Sequence, residues 1–350
     1  MKISNSDEIL WHYCNLEAFY NIIKTHSIRL NDVYQSNDYT EKEGFYKLVR
    51  EQIYNKLSHP GLDIDQKALF NYLVRTMDNK SYIPSNNFCF CLTDLDDSPF
   101  HWSLYGDNGK GIAIGFRRSM LTFHSELSDE LSISLLDMNY NTIEFQNQID
   151  EFIEKSKKEF FIAKNKNNNE AICNKLDQDL EKIYESAICY KNKRLNGECE
   201  SRLSIVYKNP LDLFIYEQKH IENEEKQYFD LLPIDEYCTG NRIKSYYTLS
   251  WRNQLNTFIP NGTFPIAKIR IGYDCQMSEE NIKSFVTNQI TLLKAKYEYT
   301  HLPSAIKDAN LILGYSSMNN TNINTDINYL RAREGLDIDI KRSELPLRNE

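Results

Sequence analysis

Several devices that announce a function are missing from this chain. No G-x-G-x-x-G follows a strand, so the dinucleotide fingerprint of a doubly wound parallel sheet is not present. The turn-rich stretch GDNGKG (106–111) lacks phosphate-loop spacing, and no Ser or Thr follows its Lys. H-E-x-x-H and G-x-S-x-G are absent, which removes the zinc-protease helix and the hydrolase nucleophile turn. The 8 cysteines form no C-x-x-C pair, so neither a zinc scaffold nor a disulfide framework is indicated. No run of 18 apolar residues and no signal-peptide core occurs, so a soluble, cytoplasmic chain with reduced thiols and no membrane partner is expected. The net charge is -9, which works against nonspecific attraction to nucleic acid.

What is present suits a folded protein. Hydrophobic residues make up 41% of 350, enough for a sizeable core. NLEAFYNIIKTH (15–26) reads as a short amphipathic helix with Asn15 as N-cap, between the strands ILWHY and SIRLND. Helices are expected at about 43–57 and 65–78, then a buried strand in NNFCFCLTD (86–94), where Cys89 and Cys91 share a face. IAIGF and ELSISLLDMNY (130–140) read as further strands. Two long helices fill 142–163 and 170–190. RLSIVY, LFIYEQ, YYTLSW and FPIAKIRIGYD make the second half mostly β, followed by a helix at 279–296 capped by Ser278. SMNNTNINTDIN (317–328) reads in part as a loop, and LDIDIKRSELPLR (336–348) alternates like an edge strand. The order predicts a single α+β domain over 1–350 with a helical insertion at about 141–193.

One stretch invites a chemical reading. In NGECESRLSIVY (196–207) an extended backbone from Glu198 would put Glu198, Glu200 and Arg202 on one face. Two carboxylates beside a guanidinium can stabilise the cationic sugar carbon of a breaking glycosidic bond and orient the attacking group. Arg202 would hold the first carboxylate or fork onto a phosphate. The plainer reading is a solvent-facing edge strand with an internal ion pair. Just upstream, Lys191, Lys193 and Arg194 read as a solvated turn. In DLDDS (94–98), Asp94, Asp96 and Asp97 would suit a metal-dependent nuclease or an ordinary turn.

Four segments taken in order carry a resemblance: LWHYCNLEAFYNIIKTHSIRLND with SND after it, FCFCLTDLDDSPFHWSLYGDNGKGIAIGF, ECESRL and IDIKRSELPLR. Together they resemble the bacterial domain-of-unknown-function family 2971, including its early Asn-Asp at Asn37 and Asp38, for which an ordinary turn is the plain role. More distantly, the order His, aromatic, Glu is similar to the ADP-ribosyltransferase superfamily, which clamps NAD between two small sheets. That likeness implies split mixed or antiparallel sheets and NAD as substrate, with ADP-ribosyl transfer or NAD hydrolysis as the reaction. It implies Glu200 as catalytic acid with Glu198 as companion. His12 would donate to a ribose hydroxyl or phosphate, and Tyr105 or Trp102 would pack on nicotinamide, with Thr93 and Arg202 near the same cleft. It further implies a bacterial conflict or phage-defence setting, with an acceptor protein or nucleic acid left open and a partner protein from the same system. A module that binds a nucleotide or protein without turnover is the alternative reading.

Overall fold

Alternating apolar side chains in the strands and 3.6-residue stripes in the helices sort the chain into a mixed sheet and two sets of helices. A computed structural model describes residues 8–33, 40–58, 61–78, 88–121, 126–128, 131–165, 169–207, 230–239, 242–250, 265–301 and 338–345. The chain opens with β1 (Ile9–Cys14), α1 (Leu16–Thr25) and β2 (Ser27–Asp32). The Asn15 side chain accepts the Ala18 N–H at 2.8 Å, the expected N-cap. His26 ends α1 in the left-handed conformation (φ 53°) and turns the chain into β2.

Next come α2 (Thr40–Leu57), α3 (Ile64–Asp78), β3 (Phe88–Thr93), α4 (Pro99–Leu104), β4 (Ile112–Arg117) and α5 (Arg118–Leu121). A hairpin of β5 (Glu126–Ser128) and β6 (Leu131–Asp137) precedes α6 (Thr142–Asn165) and α7 (Asn169–Glu185). The described chain finishes with β7 (Glu200–Tyr207), β8 (Asp230–Thr239), β9 (Arg242–Ser250), β10 (Ile266–Ile271), α8 (Glu279–His301) and β11 (Asp339–Arg342). Ser278 caps α8, accepting the Asn281 N–H at 3.2 Å. The expected strand LFIYEQ, the loop at 317–328 and the pair Asn37 and Asp38 lie outside the described residues.

The result is an α+β fold around an open mixed sheet of eleven strands. Parallel pairing joins β10 to β11, and the other described neighbours are antiparallel. One path runs β11-β10-β4-β1-β3-β2-β9-β8, and β3 carries β7, β6 and β5 on its other side. The pairing at β3 positions the site. One edge is matched to β7 from Cys89 to Thr93. On the other edge β1 meets only Thr93, through Trp11, while β2 meets only Phe88 and Cys89. Between those contacts β1 and β2 part, and the sheet forks.

Two apolar interiors flank this fork. Phe88, Phe90 and Leu92 of β3 enter the sheet core, which α1 covers with Phe19 and Ile23 and α8 with Ile282 and Val286. The second interior is helical and joins two distant stretches of chain. Phe45, Val49 and Ile53 of α2 and Leu69 and Leu73 of α3 pack with Phe145, Ile149 and Ile153 of α6 and Leu176 and Leu180 of α7. Tyr190, just beyond α7, enters the same interior, its ring centroid 5.1 Å from Phe145 and 5.4 Å from Phe45. Each fully buried Leu or Phe here contributes about 1.5–3 kcal/mol of transfer free energy.

Candidate functional site

The two glutamates reach one point by different routes. The strand does not begin at Glu198, as alternation suggested. Residues Lys193–Glu198 form a 3-10 turn, and Cys199 breaks it in the left-handed conformation (φ 42°, ψ 50°). β7 then starts at Glu200. Glu200 and Arg202 do share a strand face, as expected. Glu198 joins them because the left-handed Cys199 swings the turn back over the strand. β7 is not an edge strand: β3 and β6 flank it, and Glu198, Glu200 and Arg202 are all buried. That removes the solvent-facing reading.

Lys191 is the residue that sequence reasoning misplaced. It is buried rather than solvated, and its ammonium donates to both Glu198 Oε2 and Glu200 Oε2. Arg202 donates to Glu200 through Nε at 2.8 Å and Nη2 at 3.1 Å, a forked grip. Of the two roles expected for Arg202, it fills the carboxylate-holding one. Burial pushes the Glu200 carboxyl up, but Arg202 and then Lys191 outweigh burial and hold it at about 2. Formal charges within this group of four cancel. Lys193 and Arg194 remain exposed.

A shell of hydrogen bonds fixes the turn. Thr93 Oγ1 donates to the Glu198 carbonyl at 2.9 Å, and His101 Nε2 donates to the same carbonyl at 3.1 Å. His101 Nδ1 therefore accepts from Ser98 Oγ at 2.9 Å. The Glu200 N–H donates to Tyr140 Oη at 2.9 Å, and burial raises the Tyr140 hydroxyl to about 12. Tyr105 Oη donates to Glu198 Oε1 at 3.0 Å. Burial, then the neighbouring Glu198, push that phenol upward, so it stays a donor at neutral pH.

His101 and Trp102 lie on α4 and Tyr105 caps its C-terminal end, a short helix that the sequence reading did not assign. Ser98 caps this helix and Pro99 occupies its first position, a short start signal masked by the turn residues after it. Gly106 lets the chain reverse over Trp102, where an added Cβ would lie 2.4 Å from Cε3 of the indole. Trp102 is fully buried and donates through Nε1 to Asp97 at 2.8 Å. It is a core residue and does not face the cavity, which corrects its expected place against nicotinamide. Tyr105, in contrast, stands half-exposed at the cavity.

His12 sits in the fork. Its Nδ1 lies 2.9 Å from the Cys91 carbonyl, which only accepts, so Nδ1 carries the proton. The imidazole thereby satisfies a β3 carbonyl where β1 has peeled away. Burial lowers the ring to about 4 against the opposing pull of that bond, so it is neutral at pH 7. Nε2 is then an acceptor. This corrects the expected donation: a neutral His12 of this tautomer accepts from a hydroxyl and offers nothing to a phosphate. The ring also packs on Phe90, centroids 4.1 Å apart.

These groups line one cavity of about 570 Å³. That lies within the roughly 300–1,000 Å³ typical of small-molecule sites. His12, Thr93, Tyr105, Glu198, Glu200 and Arg202 all contribute to its wall. So do Lys191 and His101, and from the far side Tyr237 and Lys244, none of which the sequence singled out as site residues. Cys89 and Cys91 line it as well, their sulfurs 3.9 Å apart. The Cys91 thiol is held well above its ordinary range, chiefly by its bond to Cys89, so it is a poor nucleophile. The DLDDS aspartates do not converge. Asp96 binds Arg270 at 3.0 Å, Asp97 braces Trp102 and the Glu344 N–H, and Asp94 is exposed. Among the described residues no group of three acidic, His or Cys side chains is arranged to hold a metal ion.

No curated protein and no solved structure matches this chain. A family model described as "Protein of unknown function (DUF2971)" matches residues 101–203, a span that begins in α4 and ends in β7. It thus takes in His101, Tyr105, Lys191, Glu198, Glu200 and Arg202, the larger part of the buried cluster. Over that span the chain is similar to the DUF2971 family of proteins of unknown function.

Proposed function

We propose that the chain has an ADP-ribosyltransferase-like fold, binds NAD in the forked sheet and cleaves the bond between nicotinamide and ribose. The observation that carries this reading is a buried, ionised Glu200 on the same cavity wall as the acceptor nitrogen of His12. The C1′–N bond breaks, and its electron pair leaves with nicotinamide, which departs neutral. Glu200 faces the positive charge left on the ribosyl carbon. His12 Nε2 accepts from a ribose hydroxyl and fixes the sugar. The Tyr105 ring at the cavity mouth suits the flat, cationic nicotinamide. Water or an acceptor nucleophile then bonds to C1′ and gives up its proton, yielding free ADP-ribose or an ADP-ribosylated acceptor.

Incubation with nicotinamide-labelled NAD, with and without cell extract, tests this. Wild type releases label, and Glu200→Gln lowers the rate by about 100-fold or more, the usual cost of losing one transition-state electrostatic partner. Equal rates in the two proteins, or no release by wild type with any acceptor, would overturn the proposal.

One observation favours a second reading, a nucleotide-binding module without turnover. Lys191 and Arg202 already neutralise both carboxylates, which leaves no net anion to face a ribosyl cation. Under that reading ADP-ribose binds and nicotinamide is never released.

A further inference from the structure

The cavity carries a cation that the glutamate cluster does not use. Lys244 lies on β9, half-buried on the cavity wall. Among the described residues its ammonium has no ion-pair partner. Tyr237 stands directly opposite it across the β8–β9 ladder and lines the same wall. The Tyr237 hydroxyl donates to Asn31 Oδ1 at 3.4 Å, and the Arg29 guanidinium lies 5.5 Å from its ring centroid. The acidic groups nearby are occupied. Asp235 accepts the Tyr246 hydroxyl at 2.7 Å, and Asp32, buried on the cavity wall, has partners of its own. On this wall Lys244 is therefore a cation without an ion-pair partner among the described residues, while the Lys191, Glu198, Glu200 and Arg202 group sums to zero.

A half-buried ammonium at one side of a pocket favours an anion, because closing a ligand over it without a counter-charge is costly. His12 cannot supply this, since its free nitrogen is an acceptor. We infer that Lys244 binds the phosphate groups of the ligand, so that the cavity takes nucleoside diphosphates and rejects the corresponding nucleosides. The inference rests on the reading above only in placing the ribose at the Glu200 end. It does not need the ligand to be cleaved.

Calorimetric titration of the full chain with ADP-ribose and with nicotinamide riboside tests it, at low and high salt. Lys244→Gln weakens ADP-ribose by about ten- to a hundredfold, the range of a charge-assisted hydrogen bond, and flattens its salt dependence. The same variant changes riboside affinity less than about twofold, and Lys244→Arg restores most ADP-ribose binding. Unchanged ADP-ribose affinity in Lys244→Gln would overturn the inference, as would an equal loss of riboside. A wild type that binds the riboside but not ADP-ribose also sinks it, while leaving glycosidic cleavage standing. A Lys244-dependent ADP-ribose site in a protein that never releases nicotinamide supports the inference and removes the cleavage. Binding of neither ligand removes both.

Discussion

The same pair of residue types, lysine with a carboxylate, appears in this molecule in two settings that behave differently. On the helical layer Lys155 meets Asp179 at 2.6 Å, with the lysine side chain 52% exposed. Beside the cavity the Lys191 side chain is 5% exposed and faces Glu198 and Glu200 together. Water and salt screen the first pair, and its helices are held by Ile153, Leu176 and Leu180 beneath it. The second depends on mutual compensation of charge, since removing one member leaves a net charge in a low-dielectric interior. Ion pairs on the helices decorate a structure that apolar burial already secures. Ion pairs in the fork are the structure there.

That contrast can be broken at several points. The largest effect belongs to Lys191→Met, which strands Glu198 and leaves Glu200 to Arg202 alone, and it is expected to cost about 3–5 kcal/mol by denaturant unfolding. Adding Glu198→Gln to it returns part of the loss, because one uncompensated charge goes. A Lys191→Met protein as stable as wild type would mean that the cluster is not mutually dependent. In the apolar region Leu176→Ala costs about 3 kcal/mol by cavity formation, with no change in the pH dependence of stability.

The acid limb of stability comes next in size. The folded pKa of His12, about 4, lies below its ordinary 6.5. The unfolded chain therefore binds more protons between those values, and stability falls as pH drops through that window. The loss is roughly 1 kcal/mol at pH 5.5 relative to pH 8. A second limb opens below pH 4.5, because Glu200, ordinarily at 4.5, titrates at about 2 in the fold and its stabilisation fades toward that value. Thermal melts across this range should show both limbs, and His12→Gln should erase the upper one. A melting profile of His12→Gln that parallels wild type between pH 6.5 and 4 contradicts the assignment. The smallest effect is Lys155→Ala, at about 0.2–1 kcal/mol and shrinking with added salt.

How much of this was written in the sequence divides along the same line. Asn15 before an apolar stripe and Ser278 before two glutamates announced α1 and α8, because caps and periodicity are local signals. The stripe Ile172, Leu176, Leu180 announced α7 for the same reason. Glu200 and Arg202 were legible as same-face neighbours. Lys191 was not, because a lysine between Tyr and Asn before a basic pair looks solvated until the turn after it is seen to fold Glu198 and Glu200 back onto it. Only the distant resemblance placed Trp102 against a ligand, and nothing local records that Asp97 and Gly106 fold around it. Lys244 and Tyr237 lie on a ribbon whose approach to the fork depends on β9 pairing with β2, a contact between segments far apart in sequence, Ser27 against Ser250. The C-terminal IDIKRS stretch that carried the family likeness turns out to be a clasp. Arg342 donates to the carbonyls of Gly272, Cys275 and Met277, tying β11 to the entry of α8.

Tyr190 and Lys191 are consecutive, yet one is wedged among the aromatic rings of the helices and the other stands between the two acids. A single peptide unit is thus a stiff rod joining the two interiors, with little slack to absorb movement at either end. The place of the buried ammonium is therefore set in part by how the helices pack around Tyr190. Withdrawing that ammonium uncovers negative charge at the cavity wall, and returning it covers the charge again.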